Sequence, residues 1–587
     1  MNMRRIASMI TAGVLLFSVG ACSNANTTTT PPTSSSEAPA TSSASTDSQA
    51  PVDSAPAADS YLSSLGLDSD LRFTETRNIT VEVYDRANTG GSDPADNYYA
   101  NYIKEGMLRD HNVNVTFVKV PRWTEGEEMN NLLASNSAPD VSVTYSKPTI
   151  DTYGIMGGVV DVSSYVNDNK EILPNFWGLL GDRNINWNKD PVDGHIWALE
   201  ALLFNNLRTN TFVREDWLKT LNIAEPTTLD EFTAMLQAFK DNAETLLGAN
   251  DASKIVPFQI CEDVGYHIES IVNSYIPNDI SQRDYYIHRF DDRQLFMPGI
   301  NNVNALKSAT AVVNKWYNDG LVWKDFALYK AGDQPIDDIL KSGVCGAFIG
   351  NWDYPYRNGD DSISTALHEL VGPDANFMAV SSFKNDAGIS KSFLSGPIDR
   401  KVFLPSTNKE IIASLLYLDW LSTLENRRFL QIGDEGVTHE KFSDGSIKTI
   451  PATGDKIMNS PNNIDYTIVI NGLDLGDPDL NLKSLTNNYT GVEPYLIEKA
   501  YNATKLNARI DGNVQVGLID SEEGQGPALT AKRDALLDNA IVAPVDQFDA
   551  VYDSGYQDCL NSCGQAIIDE RTEKWEKFFG SATELPQ

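Results

Sequence analysis

Strands and helices alternate along the first part of this sequence, and that alternation constrains the fold more than any other feature. Residues 78–84 alternate apolar and polar side chains and are rich in β-branched residues, which predicts a strand. Similar stretches recur at 113–119 and 139–145, with helical spacing at 97–110 and 124–135 between them. A strand–helix–strand order predicts a parallel sheet with crossover helices, and therefore an α/β fold.

The same reading extends along the rest of the chain. Strands are predicted at 194–206, 255–260 and 343–349, and helices at 212–218, 229–241, 303–319, 335–341, 408–424 and 545–580. Thr228 and Glu231 have the spacing of a capping box, which predicts where the helix over 229–241 begins. The chain is too long for one ordinary core, so two lobes or more are expected.

The first residues have the pattern of an export signal. Arg4 and Arg5 precede an apolar stretch at 6–19 that is too short to span a bilayer stably, which predicts a signal peptide over residues 1–21. Residues 18–22 resemble a bacterial lipobox, which implies cleavage before Cys22 and acylation of its thiol. The alternative is an ordinary signal peptide with an unrelated cysteine. Residues 22–58 are then a lipidated cysteine and a disordered Ser/Thr/Pro tether, since they hold few large apolar side chains.

Charge and cysteine content narrow the function classes. The formal net charge of −35 argues against nucleic acid, which requires Lys and Arg patches, and it favours a neutral ligand. Cys261 and Cys345 are expected to be paired or buried, and Cys559 and Cys563 lie four apart on a predicted helix, where a bridge is strained. The sequence contains no Cys-x-x-Cys or His cluster of the kind that binds zinc.

Five blocks of sequence resemble one family of proteins. They lie at 132–141, 212–232, 315–322, 346–352 and 433–440. In this order they resemble the extracellular solute-binding proteins of ABC sugar importers, most of all the large oligosaccharide-binding lipoproteins of Gram-positive bacteria. The resemblance covers residues 75–580. It implies an α/β, two-lobe periplasmic-binding-protein-like (type II) fold with an interlobe ligand cleft.

The resemblance also implies a domain order and a biological role. Lobe 1 is expected at 59–205 and lobe 2 at 206–394, with a hinge near 200–208. Residues 395–587 are expected to return to lobe 1 and to end in C-terminal helices shared between the lobes. The implied role is to capture a neutral extracellular oligosaccharide for ABC transporter permease subunits, as a monomer anchored by lipid to the outer face of the bacterial cytoplasmic membrane. Neither catalysis nor nucleic acid binding is implied.

No cofactor is expected from the sequence. Close relatives carry a calcium loop after the helix that corresponds to 229–241. Here residues 240–255 have their oxygen ligands diluted by apolar side chains, so calcium is possible but the loop is degenerate.

Candidate ligand contacts are the aromatic and polar side chains that follow predicted strands or lie on the lobe crossing, since ligands of open α/β sheets bind at carboxyl ends of strands. Aromatic rings stack on pyranose C–H faces, and polar side chains bond the hydroxyl rim. The candidates are Asp85, Arg86, Trp123, Tyr145, Glu200, Glu262, Tyr266, Trp352, Asp353, Tyr354 and Tyr356. Trp352 is expected to be the main stacking platform.

Every candidate except Tyr145 has a structural alternative. Asp85, Arg86, Glu262 and Tyr266 could belong to solvated turns or loops. Glu200 could form an internal salt bridge, because a carboxylate in an apolar stretch is costly unless it is paired. Trp123 could be a packed aromatic at the sheet edge, and the cluster at 352–356 could pack in a core.

Two rival functions remain open. A glycoside hydrolase needs two carboxylates at a defined separation, and with 81 acidic residues some pair will always satisfy that. No nucleophile-elbow, metalloprotease or phosphate-loop motif is present in the sequence. A surface sugar sensor or adhesin would use the same cleft.

Overall fold

The computed structural model describes residues 56–585, apart from residues 89, 205, 290–303, 330–333, 397, 511–513, 515 and 523–525. The predicted export signal, Cys22 and nearly all of the predicted tether lie outside the described residues.

Fourteen strands form the sheets of the described part. They are β1 Arg77–Asp85, β2 Val113–Pro121, β3 Ser142–Thr144, β4 Leu199–Leu203, β5 Thr209–Arg214, β6 Val256–Gln259, β7 Cys345–Asn351, β8 Phe377–Val380, β9 Ser392–Leu394, β10 Ile398–Phe403, β11 His439–Lys441, β12 Ile447–Thr449, β13 Ile470–Asn471 and β14 Ala508–Ile510.

Twenty-two α-helices lie in the same part of the chain. They are α1 Pro56–Ser64, α2 Tyr98–His111, α3 Glu125–Ala134, α4 Lys147–Ile155, α5 Ser163–Asp168, α6 Pro174–Ile185, α7 Glu215–Leu221, α8 Leu229–Asp241, α9 Ala243–Leu247, α10 Val264–His267, α11 Glu269–Tyr275, α12 Gln282–His288, α13 Ala305–Asn318, α14 Gln334–Lys341, α15 Ile363–Leu370, α16 Ile411–Ser422, α17 Leu424–Ile432, α18 Pro478–Asn487, α19 Pro494–Lys505, α20 Gly526–Val542, α21 Phe548–Cys559 and α22 Gln565–Phe579.

The first-lobe strands form a mixed arrangement. Strands β1 and β2 are parallel along their whole length, and Val81 of β1 bridges Val141, just before β3, in a parallel sense. A four-stranded sheet in the order β13-β4-β10-β3 completes the layer, with β10 antiparallel to both β3 and β4. The predicted parallel crossovers are therefore present, and an antiparallel strand that returns from the other lobe is added to them.

The second-lobe sheet has the order β6-β7-β5-β8. Strands β6 and β7 are parallel, whereas β5 is antiparallel to β7 and β8. Strand β7 packs closely against helices α7 and α8, because a Cβ on Gly346 would come within 2.8 Å of the Trp217 ring and 2.6 Å of the Phe239 ring. This glycine therefore permits close packing of the core.

Two large apolar cores define the two lobes. One contains buried residues from 67–199 and 402–470, and the other contains buried residues from 212–393 and 496–567. The chain passes between these cores at three places, which lie between β4 and β5, between β9 and β10, and between β13 and α19. The buried residues of α19 to α22 belong to the second core or to a small cluster beside it. The domain boundaries given above stay a prediction.

Most predicted elements are present within a few residues of their expected bounds, and the predicted capping box at Thr228 and Glu231 is confirmed. The helix predicted over 212–218 is partly wrong, because residues 212–214 extend β5 and α7 begins only at Glu215. The helix predicted over 545–580 is α21 and α22 joined by one π-helical turn. Within the described residues, Cys261, Cys345, Cys559 and Cys563 are all buried, and none of them forms a disulfide. Within the described residues, no helix combines the length and apolar composition that a membrane span requires.

Candidate functional site

The strand registers show where a cleft between the lobes has its walls. In the second lobe the carboxyl end of β7 pairs with the first residue of β5, Asn351 with Thr209, directly after the first crossing. In the first lobe the end of β3 pairs with β10 near the second crossing, Thr144 with Lys401. Strands β1 and β2 run parallel to the segment that leads into β3. The carboxyl ends of β1, β2 and β3 and those of β6 and β7 therefore lie at the edges nearest the crossings, where open α/β sheets bind ligands.

An aromatic platform with an arginine at its centre lies on the first-lobe edge. We define it as Tyr84, Arg122, Trp123 and Tyr145, which follow or end β1, β2 and β3. The Arg122 guanidinium carbon lies 4.3 Å from the ring centre of Tyr145, 5.2 Å from that of Tyr84 and 5.5 Å from that of Trp123. Tyr84 and Tyr145 stack on each other at 6.3 Å. Trp123 is 73% exposed, so its indole offers an open face for a sugar ring.

Two buried carboxyl groups lie beneath the platform. Glu82 accepts a hydrogen bond from the Val143 backbone N–H at 2.7 Å, and burial raises the pKa of its carboxyl well above the usual value. Glu125 accepts from the Thr144 hydroxyl and from the Tyr145 backbone N–H. Burial therefore favours the protonated, uncharged form of the Glu82 carboxyl beside the platform.

Asp85 and Arg86 lie beside the platform at the end of β1. Arg86 donates two hydrogen bonds to Asp465, at 2.7 and 2.9 Å, and its guanidinium carbon lies 5.8 Å from the Trp123 ring centre. The Asp85 carboxylate accepts from the backbone N–H of Ala87 at 2.8 Å, which closes a tight turn. The structure thus brings four sequence-predicted residues, Asp85, Arg86, Trp123 and Tyr145, to one edge.

A cavity of about 490 Å³ lies on the second-lobe edge. The cavity is lined by apolar and polar groups from β5, β6, β7, α10, α14 and both neighbouring crossings. Its volume is within the range of small-molecule sites. The lining residues are Leu207, Arg208, Thr209, Gln259, Cys261, Asp263, Tyr266, His267, Ile336, Leu340, Phe348, Ile349, Gly350, Asn351, Tyr354 and Ser395. Tyr266 and Tyr354 are the sequence-predicted residues among them.

Hydrogen bonds fix the two cavity tyrosines in place. The Tyr266 hydroxyl donates to Asn351 Oδ1 at 2.5 Å, and the Tyr354 hydroxyl donates to Asp337 at 2.7 Å. Burial raises the pKa of both hydroxyls above the usual tyrosine value, so both stay protonated. Their rings are therefore held rigidly at the cavity wall, which lowers the entropy that a stacked ligand has to overcome.

A thiol and an imidazole form a pair in the same wall. Cys261 Sγ lies 2.8 Å from His267 Nε2, and His267 Nδ1 lies 2.8 Å from the carbonyl oxygen of Ile349. A carbonyl can only accept, so His267 Nδ1 carries a proton and donates to Ile349, which leaves Nε2 facing the Cys261 sulfur. Beside this pair, Arg208 donates to the buried carboxylate of Glu269 at 2.8 Å.

Two predicted aromatic contacts are core residues instead. Trp352 is 3% exposed and packs edge-on against Tyr489 and Tyr501, with ring centres at 6.3 and 6.2 Å. Tyr356 is fully buried, and its hydroxyl donates to the Phe377 carbonyl. The predicted stacking role of Trp352 is therefore wrong for this structure, because a ring without an open face cannot stack on a sugar.

Two predicted carboxylates are buried, and a third does not line the second-lobe cavity. Asp353 is 7% exposed and accepts hydrogen bonds from Arg357 and from the Tyr489 hydroxyl. Glu200 is 2% exposed, accepts from Asn188 at 2.7 Å and lies 3.6 Å from the Lys401 ammonium, which is the internal salt bridge that the sequence left open. Glu262 is not among the residues that line the cavity.

The site contains residues that the sequence interpretation did not select. Arg122 immediately precedes Trp123 after β2, and Tyr84 precedes Asp85 at the end of β1, so the rule of strand ends could have found both. Cys261, His267 and Asn351 also follow β6 or end β7, but nothing in their local pattern distinguishes a cavity wall from a core.

Metal-binding groups are limited in the described residues. Residues 240–255 form the end of α8, helix α9 and a 3₁₀ turn. Among the described residues, Asp190, Asp193 and His195 are the acidic and histidine groups close enough together to share an ion. They lie in one tight loop, where Asp190 already accepts from the backbone N–H of Val192.

Comparison with known proteins defines the class to which this fold and cleft belong. Residues 101–395 match the family model described as bacterial extracellular solute-binding protein, and the chain belongs to that family. Lipoprotein LipO of Bacillus subtilis is 21% identical over 353 residues, which are 59% of this chain and 65% of that protein. The polygalacturonan/rhamnogalacturonan-binding protein YtcQ of the same species is 20% identical over 349 residues, which are 57% of this chain and 62% of that protein. The matches thus span slightly less than two thirds of the length of these relatives.

Solved structures have the same two-lobe fold. The alginate-binding protein AlgQ2 superposes with a TM-score of 0.57 at 17% identity, covering 87% of this chain and all of that one. A solute-binding protein from Bifidobacterium longum infantis, described as HMO binding and ABC-transporter associated, gives a TM-score of 0.58 at 14% identity, covering 86% of this chain and all of its own. At these identities the likeness establishes the periplasmic-binding-protein type of fold.

Proposed function

We propose that this protein captures an extracellular oligosaccharide in the cleft between its lobes and delivers it to the permease subunits of an ABC transporter. The observation that carries the proposal is the exposed indole of Trp123, set among Tyr145 and two arginines at the carboxyl ends of the first-lobe strands. An open aromatic face beside guanidinium donors suits a pyranose, which presents an apolar C–H face and a rim of hydroxyls.

The second-lobe cavity supports the same proposal. Its volume of about 490 Å³ is sufficient for one or two sugar rings, and its wall combines aromatic rings with amide and carboxyl groups. Because the two edges belong to different lobes, a ligand that touches both favours the closed arrangement of the lobes by its differential binding.

The relatives point to saccharides as the ligand class. YtcQ is named for binding polygalacturonan and rhamnogalacturonan. The net charge of −35 favours a neutral saccharide for this chain, but that argument concerns the whole surface and does not describe the cleft.

The cellular setting follows from the N-terminal sequence and the family. We propose cleavage before Cys22, acylation of its thiol, and anchoring of a monomer to the outer face of the bacterial cytoplasmic membrane by this lipid alone. LipO is named as a lipoprotein, which supports the anchor. Mass spectrometry of the exported N-terminus tests it, and an unmodified Cys22 or cleavage elsewhere would refute it.

Isothermal titration calorimetry of the purified protein against a panel of neutral and acidic oligosaccharides tests the main proposal. We expect saturable binding of at least one panel member without release of shorter products, which chromatography of the same samples detects. Binding of no saccharide contradicts the proposal. Release of shorter sugars would assign the cleft to a glycoside hydrolase instead.

A further inference from the structure

Arg122 lacks the partner that the other arginines at the two edges have. Arg86 is paired with Asp465 and Arg208 with Glu269, each through hydrogen bonds at 2.7–2.9 Å. Within the described residues, Arg122 has no hydrogen bond and no ion pair, and its Nε atom is buried without an acceptor. Its contacts there are with the faces of Tyr84, Trp123 and Tyr145.

The chemistry of the guanidinium explains why an Arg122 side chain without an acceptor indicates a ligand contact. A guanidinium presents five N–H donors in a fixed planar arrangement and is always charged at physiological pH. Leaving such donors unmatched in a partly buried position costs free energy. The three rings hold the guanidinium through cation–π contacts, so its orientation is fixed before any ligand arrives.

The carboxyl groups described at this edge accept their hydrogen bonds from donors other than Arg122. Glu125 accepts hydrogen bonds from Thr144 and Tyr145, and Glu82 accepts one from Val143. Asp465 is held by Arg86 in a two-bond pair. The described residues therefore supply no acceptor for Arg122, and a planar anion on the ligand is the group that matches it best.

We propose that the bound saccharide carries a carboxylate, as a uronic acid does, and that Arg122 binds this carboxylate while Trp123 stacks on the sugar ring. The inference rests on the proposed function and revises the expectation of a neutral ligand. The net charge of −35 does not oppose it strongly, because charges farther than a Debye length of about 8 Å are largely screened at physiological salt.

The test compares matched sugars on matched variants by calorimetry. Trimers of galacturonic, glucuronic and mannuronic acid are each paired with the neutral trimer made by reducing the carboxyl groups, and other neutral oligosaccharides complete the panel. The variants are Arg122→Gln, which removes the charge, and Arg122→Lys, which keeps it without the planar fork. Arg183→Gln is the control, since Arg183 also lies over a tryptophan, Trp187, but belongs to helix α6 and does not line the second-lobe cavity.

We expect the wild type to bind at least one acidic trimer at least about tenfold more tightly than its reduced form. Arg122→Gln should lose about tenfold to a hundredfold in affinity for the acidic trimer, with the neutral partner changed less than about twofold, and Arg122→Lys should fall between. The preference should weaken as salt rises. Arg183→Gln should change neither affinity.

Other results overturn the inference. Tight binding of neutral sugars with no preference for acidic ones would leave the proposed function intact but refute the proposed carboxylate on the ligand. Equal losses for acidic and neutral trimers in Arg122→Gln would show that Arg122 only supports the aromatic rings. Binding of no saccharide by the wild type removes the proposed function and the inference with it.

Discussion

Replacement of Trp123 by alanine gives the sharpest test of the first-lobe edge. The indole is 73% exposed, which leaves roughly 150 Å² open if the side chain has about 200 Å² of surface. A stacked pyranose covers one face, or roughly 75 Å², worth about 2 kcal/mol at about 25 cal/mol per Å². Trp123→Ala should therefore weaken oligosaccharide binding by about thirtyfold.

The same substitution should leave the fold nearly unchanged. Trp123 makes two cation–π contacts, with Arg86 and Arg122, and at an exposed site these stabilise by about 1 kcal/mol or less. Trp352→Ala is the matched control, because it removes the same side chain from the second core and should cost about 3–5 kcal/mol of unfolding free energy. Calorimetry and urea melts on both variants separate affinity from stability.

The reasoning fails if the two tryptophans behave in the opposite way. An unchanged affinity in Trp123→Ala would show that the open indole is not a sugar contact. A loss of affinity in folded Trp352→Ala with little loss of stability would restore the stacking role that its burial contradicts.

Three further predictions concern stability and are read from urea melts. Burial raises the Glu82 pKa, so the contribution of Glu82 to the unfolding free energy is full below the unfolded pKa of about 4.3 and is lost as pH rises through the folded pKa. Glu82→Gln should therefore make the unfolding free energy less dependent on pH above about pH 5. The Asp538 pKa is raised to about 7 by burial and, to a smaller extent, by the charges of Asp534 and Glu262. The unfolding free energy of the wild type should therefore fall between about pH 4 and about pH 8, and this fall should be absent in Asp538→Asn. Thr228→Ala removes the Thr228 side chain from the capping box of α8 and should cost about 1 kcal/mol at any pH; a change below about 0.3 kcal/mol would contradict it.

Local sequence patterns were sufficient for much of the fold. The strand predicted at 113–119 and the helix predicted at 229–241 match β2 and α8 closely, because their periodicity and the capping box are local properties. The helix predicted at 212–218 failed in its first half because Phe212 and Val213 pair with both β7 and β8. Strand pairing depends on segments more than a hundred residues away, which no local window contains.

The rule that ligands bind at carboxyl ends of strands selected residues at both candidate edges, but it could not decide which of those side chains are open. Whether a residue at a strand end is free depends on partners that come much later in the chain. Trp352 is covered by Tyr489 and Tyr501, and Glu200 faces Lys401 on a returning strand. These partners are determined by tertiary packing. The sequence alone therefore could not separate exposed residues from buried ones, and both kinds were included among the candidates.

The same dependence explains why Arg122 was missed and why it matters. From sequence, Arg86 and Arg122 are equivalent, since each follows a strand of the first lobe. Only the structure shows that Arg86 is matched by Asp465, which lies 379 positions further along, whereas Arg122 faces aromatic rings. A charged group that folding holds in place without an acceptor is stabilised fully only when a ligand supplies one. The unmatched arginine therefore carries more information about the ligand than the matched one, and the acidic saccharide follows from this difference.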